Sequence, residues 1–254
     1  MILAVIGKGG VGKTTVASLL LRRLVESGET PVLAVDADPS NCLGPALGVA
    51  VVRTLADMRE ELRENNRPPS MSSAEWLALR AEEALVENPG FDLLTMGRPE
   101  GKGCYCYVNN LIRDHLDRLA RGYRHVLLDC EAGLEHLSRR TSGRPDALIC
   151  VVNRARMAAD TIRRSLDLFV SIHGALPRRV QLMLNQFDEG DPLAAQMTAL
   201  AGGPFSQIVT IPRDPQVAAL ESAGESLLTL SSNSPAMAAL GAWEVMLRIA
   251  PEAL

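Results

Sequence analysis

The run "MILAVIGKGGVGKTTVASLLLRRLVESG", residues 1–28, decides how the rest of the chain is read. A short apolar, β-branched stretch (1–7) predicts a buried strand, and "KTTVASLLLRRLVESG" (13–28) predicts a helix. Between them, "GKGGVGKTT" (7–15) satisfies the pattern G-x-x-x-x-G-K-[ST] on a strand–loop–helix. Phosphate chemistry requires this order of residues. Glycines let the backbone curl until successive N–H groups point inward, and the helix start adds its positive end. Gly9, Gly10, Val11, Gly12, Lys13, Thr14 and Thr15 therefore form the expected cradle for ATP or ADP. Lys13 is expected to reach the β- and γ-phosphates, and the Thr14 hydroxyl to serve Mg2+.

Outward from this loop, apolar runs alternate with helical spacing. "PVLAVDAD" (31–38), "FDLLTMG" (91–97), "HVLLDCE" (125–131), "ALICVVN" (147–153), "VQLMLNQ" (180–186) and "QIVTIP" (207–212) read as further buried strands. "AADTIRRSLDLFVSIHG" (158–174) reads as a helix closing on glycine. The alternation predicts an α/β fold: a mostly parallel sheet with helices on both faces and ligands at the carboxyl ends of the strands. Neither a repeat nor a long linker divides the chain, so residues 1–254 are expected to form one domain. A polar insertion at about 51–90, carrying one or two helices, is expected to present its charges to solvent.

Composition narrows the partners. Of 254 residues, 47% are hydrophobic and 22% charged, which suits a globular domain. A net charge of -4 gives no basic signature, so neither nucleic acid nor an anionic membrane is the expected partner. Aromatics at 4% argue against stacking platforms for single strands. Five cysteines are too few for a disulfide scaffold, and no basic segment precedes the apolar start. The expected location is the cytoplasm, with reduced thiols.

The extra lysine at position 8 turns the loop into K-G-G-x-G-K-T, which resembles the deviant Walker A motif. That motif marks dimeric ATPases such as the nitrogenase iron protein, septum-site and chromosome-partitioning ATPases, and metal-cluster maturation factors. The resemblance implies that Lys8 crosses a dimer interface to the partner's nucleotide. It also implies that Asp38, in "VDADPSN", is the switch I aspartate that orients or activates the attacking water. Asp129, in "VLLDCEAG", would hold magnesium through water, with Glu131–Gly133 as switch II. Asn185 and Pro212, Arg213 and Asp214 of "IPRD" match the segments that contact adenine. The reaction implied is Mg-ATP hydrolysis.

"GKGCYCYVNN" (101–110) places Cys104 and Cys106 one residue apart. Positions i and i+2 diverge on a helix but converge on a glycine-flanked turn. Two thiolates make half of a tetrahedral site, and a twofold axis would supply the other half for Ni2+ or Zn2+. With "GRPEG" before it and "DCEAGLEHLSRRT" (129–141) after, this stretch resembles the nickel-insertion ATPases of carbon monoxide dehydrogenase maturation. That resemblance implies a homodimer that carries nickel to carbon monoxide dehydrogenase as its client. By the same resemblance, Glu135 and Arg139 would serve the dimer interface.

Two alternatives stand beside this one. One is an iron–sulfur-carrying reductase like the nitrogenase iron protein, although "EAG" after Cys130 holds no thiol. The other is a partitioning ATPase, although "WEVMLRIAPEAL" is not a basic amphipathic end. Of the remaining cysteines, Cys42 reads as facing the core near switch I and Cys150 as a core residue. Cys130 reads either as core or as a redox-sensitive switch residue. His136 is the one histidine considered as an auxiliary ligand; His115, His125 and His173 are scattered.

Overall fold

The computed structural model describes residues 1–63, 68–97, 117–130 and 144–243. Its spine is an eight-stranded sheet in the order β3-β4-β2-β5-β1-β6-β7-β8. The strands are β1 (Ile2–Ile6), β2 (Val32–Ala37), β3 (Leu85–Asn88), β4 (Phe91–Thr95), β5 (His125–Cys130), β6 (Ala147–Val152), β7 (Arg179–Asn185) and β8 (Gln207–Ile211). All pairings are parallel except β3 with β4, which is antiparallel. All seven expected strands are present. β2, β5 and β6 are buried along their whole length, as continuous apolar runs in a covered parallel sheet should be.

The helices follow in chain order: α1 (Lys13–Glu26), α2 (Leu43–Leu47), α3 (Leu55–Arg63), α4 (Ser73–Ala84), α5 (Arg156–His173), α6 (Pro192–Ala201), α7 (Pro215–Ala223) and α8 (Pro235–Ala239). A 3-10 turn at Leu227–Thr229 joins α7 to the last of them. Among the described residues, no helix is long and apolar enough to cross a membrane.

The stretch at 51–90 departs from its sequence reading. It carries two helices as expected, and Arg53 and Arg80 pair with Glu61 and Glu83 on its surface. However, Met58, Trp76, Ala81 and Ala84 are buried and join the main core. The charge run hid them because the two helices are amphipathic and the apolar residues lie on one stripe of each. A capping box between Ser72 and Glu75 starts α4, and the chain passes from Ala84 directly into β3. This short edge strand sets Leu85 and Val86, half-buried against the core, before the polar Glu87 and Asn88, and it is an eighth strand beyond the seven that the sequence predicts.

Register positions the chemistry. In the β2–β5 pairing Asp36 stands opposite Asp129, and in the β1–β5 pairing Val5 stands opposite Asp129. Two carboxylates thus lie side by side where β1 runs out into the phosphate loop. Strand order turns outward on either side of β1, which is where open α/β sheets form their ligand crevice.

Candidate functional site

The start of α1 is built to receive an anion. Gly12 precedes it at φ 88, a left-handed conformation that no β-branched residue adopts comfortably. No side chain caps the helix, so its first N–H groups have no partner from a capping residue. Val16 N donates to Gly12 O at 2.9 Å and begins the regular helix. A Cβ at Gly12 would strike the Asn185 side-chain amide, so glycine is required for space as well as for conformation.

Around this loop the charged residues take distinct places. Lys13 is buried, and its Nζ lies 3.5 Å from Lys8 O, folded over the loop's own backbone. The Lys8 side chain belongs to an exposed stretch with Gly9 and Gly10. Thr14 Oγ1 donates to Asp129 Oδ2 at 2.7 Å. Asp129 is fully buried, and its second oxygen, Oδ1, has no hydrogen-bond partner. Burial pushes the Asp129 carboxyl up to about 7; Thr14 and Lys13 oppose the rise, while Asp36 and Asp38 add to it. An orphaned carboxylate oxygen beside a threonine hydroxyl, with two more aspartates close enough to repel it, is a donor set that fits Mg2+. Thr14 and Asp129 would hold the ion, which would draw charge from the phosphate oxygens.

Asp38 lies just past β2 and is partly exposed. Its Oδ1 accepts from Ser40 N at 2.9 Å, and its own N–H donates to Asp36 Oδ1 at 3.2 Å. Asp36 is a site residue that sequence reading passed over. It is fully buried, and its Oδ2 accepts from Leu43 N at 2.9 Å, anchoring the first turn of α2. The available signal was a carboxylate inside an otherwise apolar strand.

Next to the loop opens a cavity of ≈ 460 Å³. Thr15, Leu19, Asn185, Pro212, Asp214, Val217 and Glu221 are among its lining residues, and Arg213 also contributes. Two of the expected adenine-contacting residues are already engaged. Asn185 Nδ2 donates to Val11 O at 2.9 Å and so braces the phosphate loop. The Asp214 carboxylate accepts from Gln216 N at 2.9 Å and from Ala236 N at 3.1 Å, capping α7 and tying it to α8. Glu221 was not foreseen: its Oε1 accepts from Thr15 Oγ1 at 2.6 Å, across 206 residues of chain. No local motif carries that information, because α7 only meets α1 in the folded chain.

The cysteines divide. Cys150 is buried in β6, and burial raises its thiol far above the ordinary range. Cys130 is buried at the end of β5, with its thiol directed at Leu128 O. Cys42 is exposed, contrary to its sequence reading: α2 starts at Leu43, and that residue, not Cys42, turns into the core. Partial burial, then the charges of Asp36, Asp38 and Asp129, raise the Cys42 thiol, so it is held as the neutral form. Cys104 and Cys106 lie outside the described residues, as do Glu131–Gly133, Glu135, His136, Arg139 and His115. Among the described residues, no group of three or more His, Cys, Asp or Glu side chains could hold a metal ion.

Comparison with known proteins agrees with this geometry. The carbon monoxide dehydrogenase accessory protein CooC of Rhodospirillum rubrum is 30% identical over 254 residues, covering 91% of this chain and 90% of that protein. An uncharacterized ATP-binding protein of Methanocaldococcus jannaschii is 46% identical over 168 residues, 65% of this chain and 66% of that protein's length. A ParA family ATPase from Chlorobium tepidum shares the fold, with a TM-score of 0.71 at 20% identity, covering 96% of this chain and 98% of that one. Residues 2–227 match the family model described as the CobQ/CobB/MinD/ParA nucleotide binding domain. A glycine loop cradling an uncapped helix start, a Thr14–Asp129 pair and a match to that model over residues 2–227 place the chain in the CobQ/CobB/MinD/ParA nucleotide-binding family.

Proposed function

We propose that this chain is a homodimeric, magnesium-dependent ATPase that assists insertion of nickel into the active-site cluster of carbon monoxide dehydrogenase. The observation that carries the proposal is the 30% identity to CooC across 91% of this chain, a match that extends well beyond the phosphate loop. Cys104 and Cys106 supply the cargo site: two thiolates from each subunit complete a four-sulfur set for Ni2+ or Zn2+.

In this reading Lys13 and the loop N–H groups hold the β- and γ-phosphates, and Thr14 with Asp129 holds magnesium. Bound magnesium neutralises charge on the transferred phosphoryl group. Asp38 orients the attacking water and accepts its proton. Lys8, on the exposed part of the loop, reaches the nucleotide of the second subunit and so makes dimerisation depend on ATP. Pro212, Arg213, Asn185 and Asp214 shape the adenine end, the last two by bracing rather than by direct donation. The site works in the cytoplasm, where thiols stay reduced.

Metal titration of the reduced protein, with and without ATP, tests the cargo site. One Ni2+ or Zn2+ per dimer is expected, lost in Cys104→Ala/Cys106→Ala and altered in affinity by nucleotide. Unchanged metal binding in that variant would sink the nickel reading and leave an ATPase of another purpose.

A further inference from the structure

Residues 36–48, which include Asp38, are pinned at both ends. At the start, Asp36 accepts from Asp38 N at 3.2 Å and from Leu43 N at 2.9 Å. At the far end, Ser226 Oγ donates to Leu47 O, in the last turn of α2, at 2.6 Å. The chain then turns through Gly48 at φ +69, and a Cβ there would stand 2.7 Å from Ser226 Cβ. Gly48 is therefore needed both for its left-handed conformation and to let the two segments touch.

The second pin belongs to the base cavity. Ser226 follows α7 by three residues, and α7 lines that cavity with Val217, Ala218 and Glu221. Little slack lies between them: Gly224 caps α7, and Glu225 N donates to Leu220 O at 2.9 Å. Ser226 Oγ also accepts from Leu228 N at 3.2 Å, capping the 3-10 turn. Beyond the turn, Arg22 of α1 donates to Leu230 O and to Ser232 Oγ, the latter at 2.9 Å. With its far side held against α1, this segment has little room to absorb a shift of α7. Close-packed interiors have low compressibility and pass strain between neighbouring elements.

We infer that Ser226 is a positioning residue for ATP hydrolysis: through Leu47 it lets a nucleotide in the base cavity set the place of Asp38. The chemical logic is that the cavity reads the base while Asp38 acts at the opposite end of the nucleotide. A link between them favours hydrolysis of a complete nucleotide over that of a bare polyphosphate. The inference rests on the role proposed above for Asp38.

Two readouts on the full chain test it. In steady-state ATP hydrolysis, Ser226→Ala is expected to lower kcat roughly fivefold, the rate equivalent of one ordinary hydrogen bond, with little change in KM. Ser226→Thr keeps the hydroxyl and is expected to restore kcat. Cys42, exposed in the middle of the pinned segment, supplies the second readout. Its alkylation rate, followed by peptide mass, is expected to change when ADP binds, and that change is expected to vanish in Ser226→Ala. An unaltered kcat, a Cys42 rate indifferent to ADP in the unmodified chain, or an ADP effect that survives the variant overturns the inference. Hydrolysis that survives Asp38→Ala overturns the reading of Asp38 instead, so the two failures are told apart.

Discussion

The Thr14 hydroxyl and the Asp129 carboxylate meet at 2.7 Å, joining the first turn of α1 to the end of β5. One of the two Asp129 oxygens is thereby held in place while the other is left without a partner in a fully buried position. Removing the hydroxyl with Thr14→Ala is expected to lower magnesium-dependent hydrolysis on the order of 100-fold, the scale of losing one preorganised charge-stabilising contact. Nucleotide binding measured without magnesium should change little, because the loop N–H groups remain.

Lys8 makes a different prediction, one about assembly. Lys8→Ala is expected to leave binding of ADP to the monomer largely intact while abolishing the ATP-dependent shift to a dimer in analytical ultracentrifugation. A dimer that still forms with ATP would remove Lys8 from the interface.

Asn185 braces the loop through Val11 O from the end of β7, two strands away from β1. Asn185→Ala leaves that buried carbonyl unpaired, at a cost of about 1–3 kcal/mol. Calorimetry should show weaker ADP binding, since the loop must be ordered by the ligand alone. Asn185→Asp is expected to be worse, because an acceptor would then face an acceptor.

His125 sets a pH dependence. Burial lowers its pKa from 6.5, and contact with Glu29 at 3.0 Å opposes that shift without cancelling it. The unfolded chain therefore binds the proton more readily than the folded one. Stability is at its full value above about pH 6.5 and falls as the pH drops toward the depressed folded value. Asp129, held up to about 7 by burial, gains stability over the same range in any variant that keeps it, so the decline is read as a difference: in urea denaturation between pH 7.5 and 5.5, on the scale set by the imidazole pKa, the unmodified chain should lose stability relative to His125→Gln as the pH falls.

Trp76 reports on the 51–90 stretch. It is 1% exposed and packs into the main core from α4. Trp76→Ala is expected to cost about 3–5 kcal/mol in urea denaturation, far more than a surface substitution. A loss below about 1 kcal/mol would mean that α3 and α4 contribute little to the folded core.

The parts of the fold written in local pattern were legible in the sequence. Seven strands announced themselves as short β-branched runs, and the loop from Gly7 to Thr15 carried its chemistry in its spacing. β3 did not, because "LVEN" is only four residues long, half of it polar, and recognisable only against β4. Trp76 and Met58 were masked by neighbouring charges on amphipathic helices. The same limit applies within the site. Lys13, Thr14 and Asp129 could be named from motifs, whereas Glu221 and Ser226 act through partners about 180–210 residues distant in sequence, and only tertiary structure joins them. Cys42 was misplaced by one residue of register, because the helix that buries Leu43 begins just after it.

The missing cap at Gly12 has a consequence for the life of the protein outside the reaction. Without a side chain to finish α1, the chain leaves the completion of that helix to a small molecule that the cell makes in abundance. Free energy of nucleotide binding then adds to the free energy of folding, and it keeps growing with nucleotide concentration after the site is full. The melting temperature should therefore climb with the logarithm of added ADP. Emptied of nucleotide, the same chain would open more often and be cut sooner by proteases.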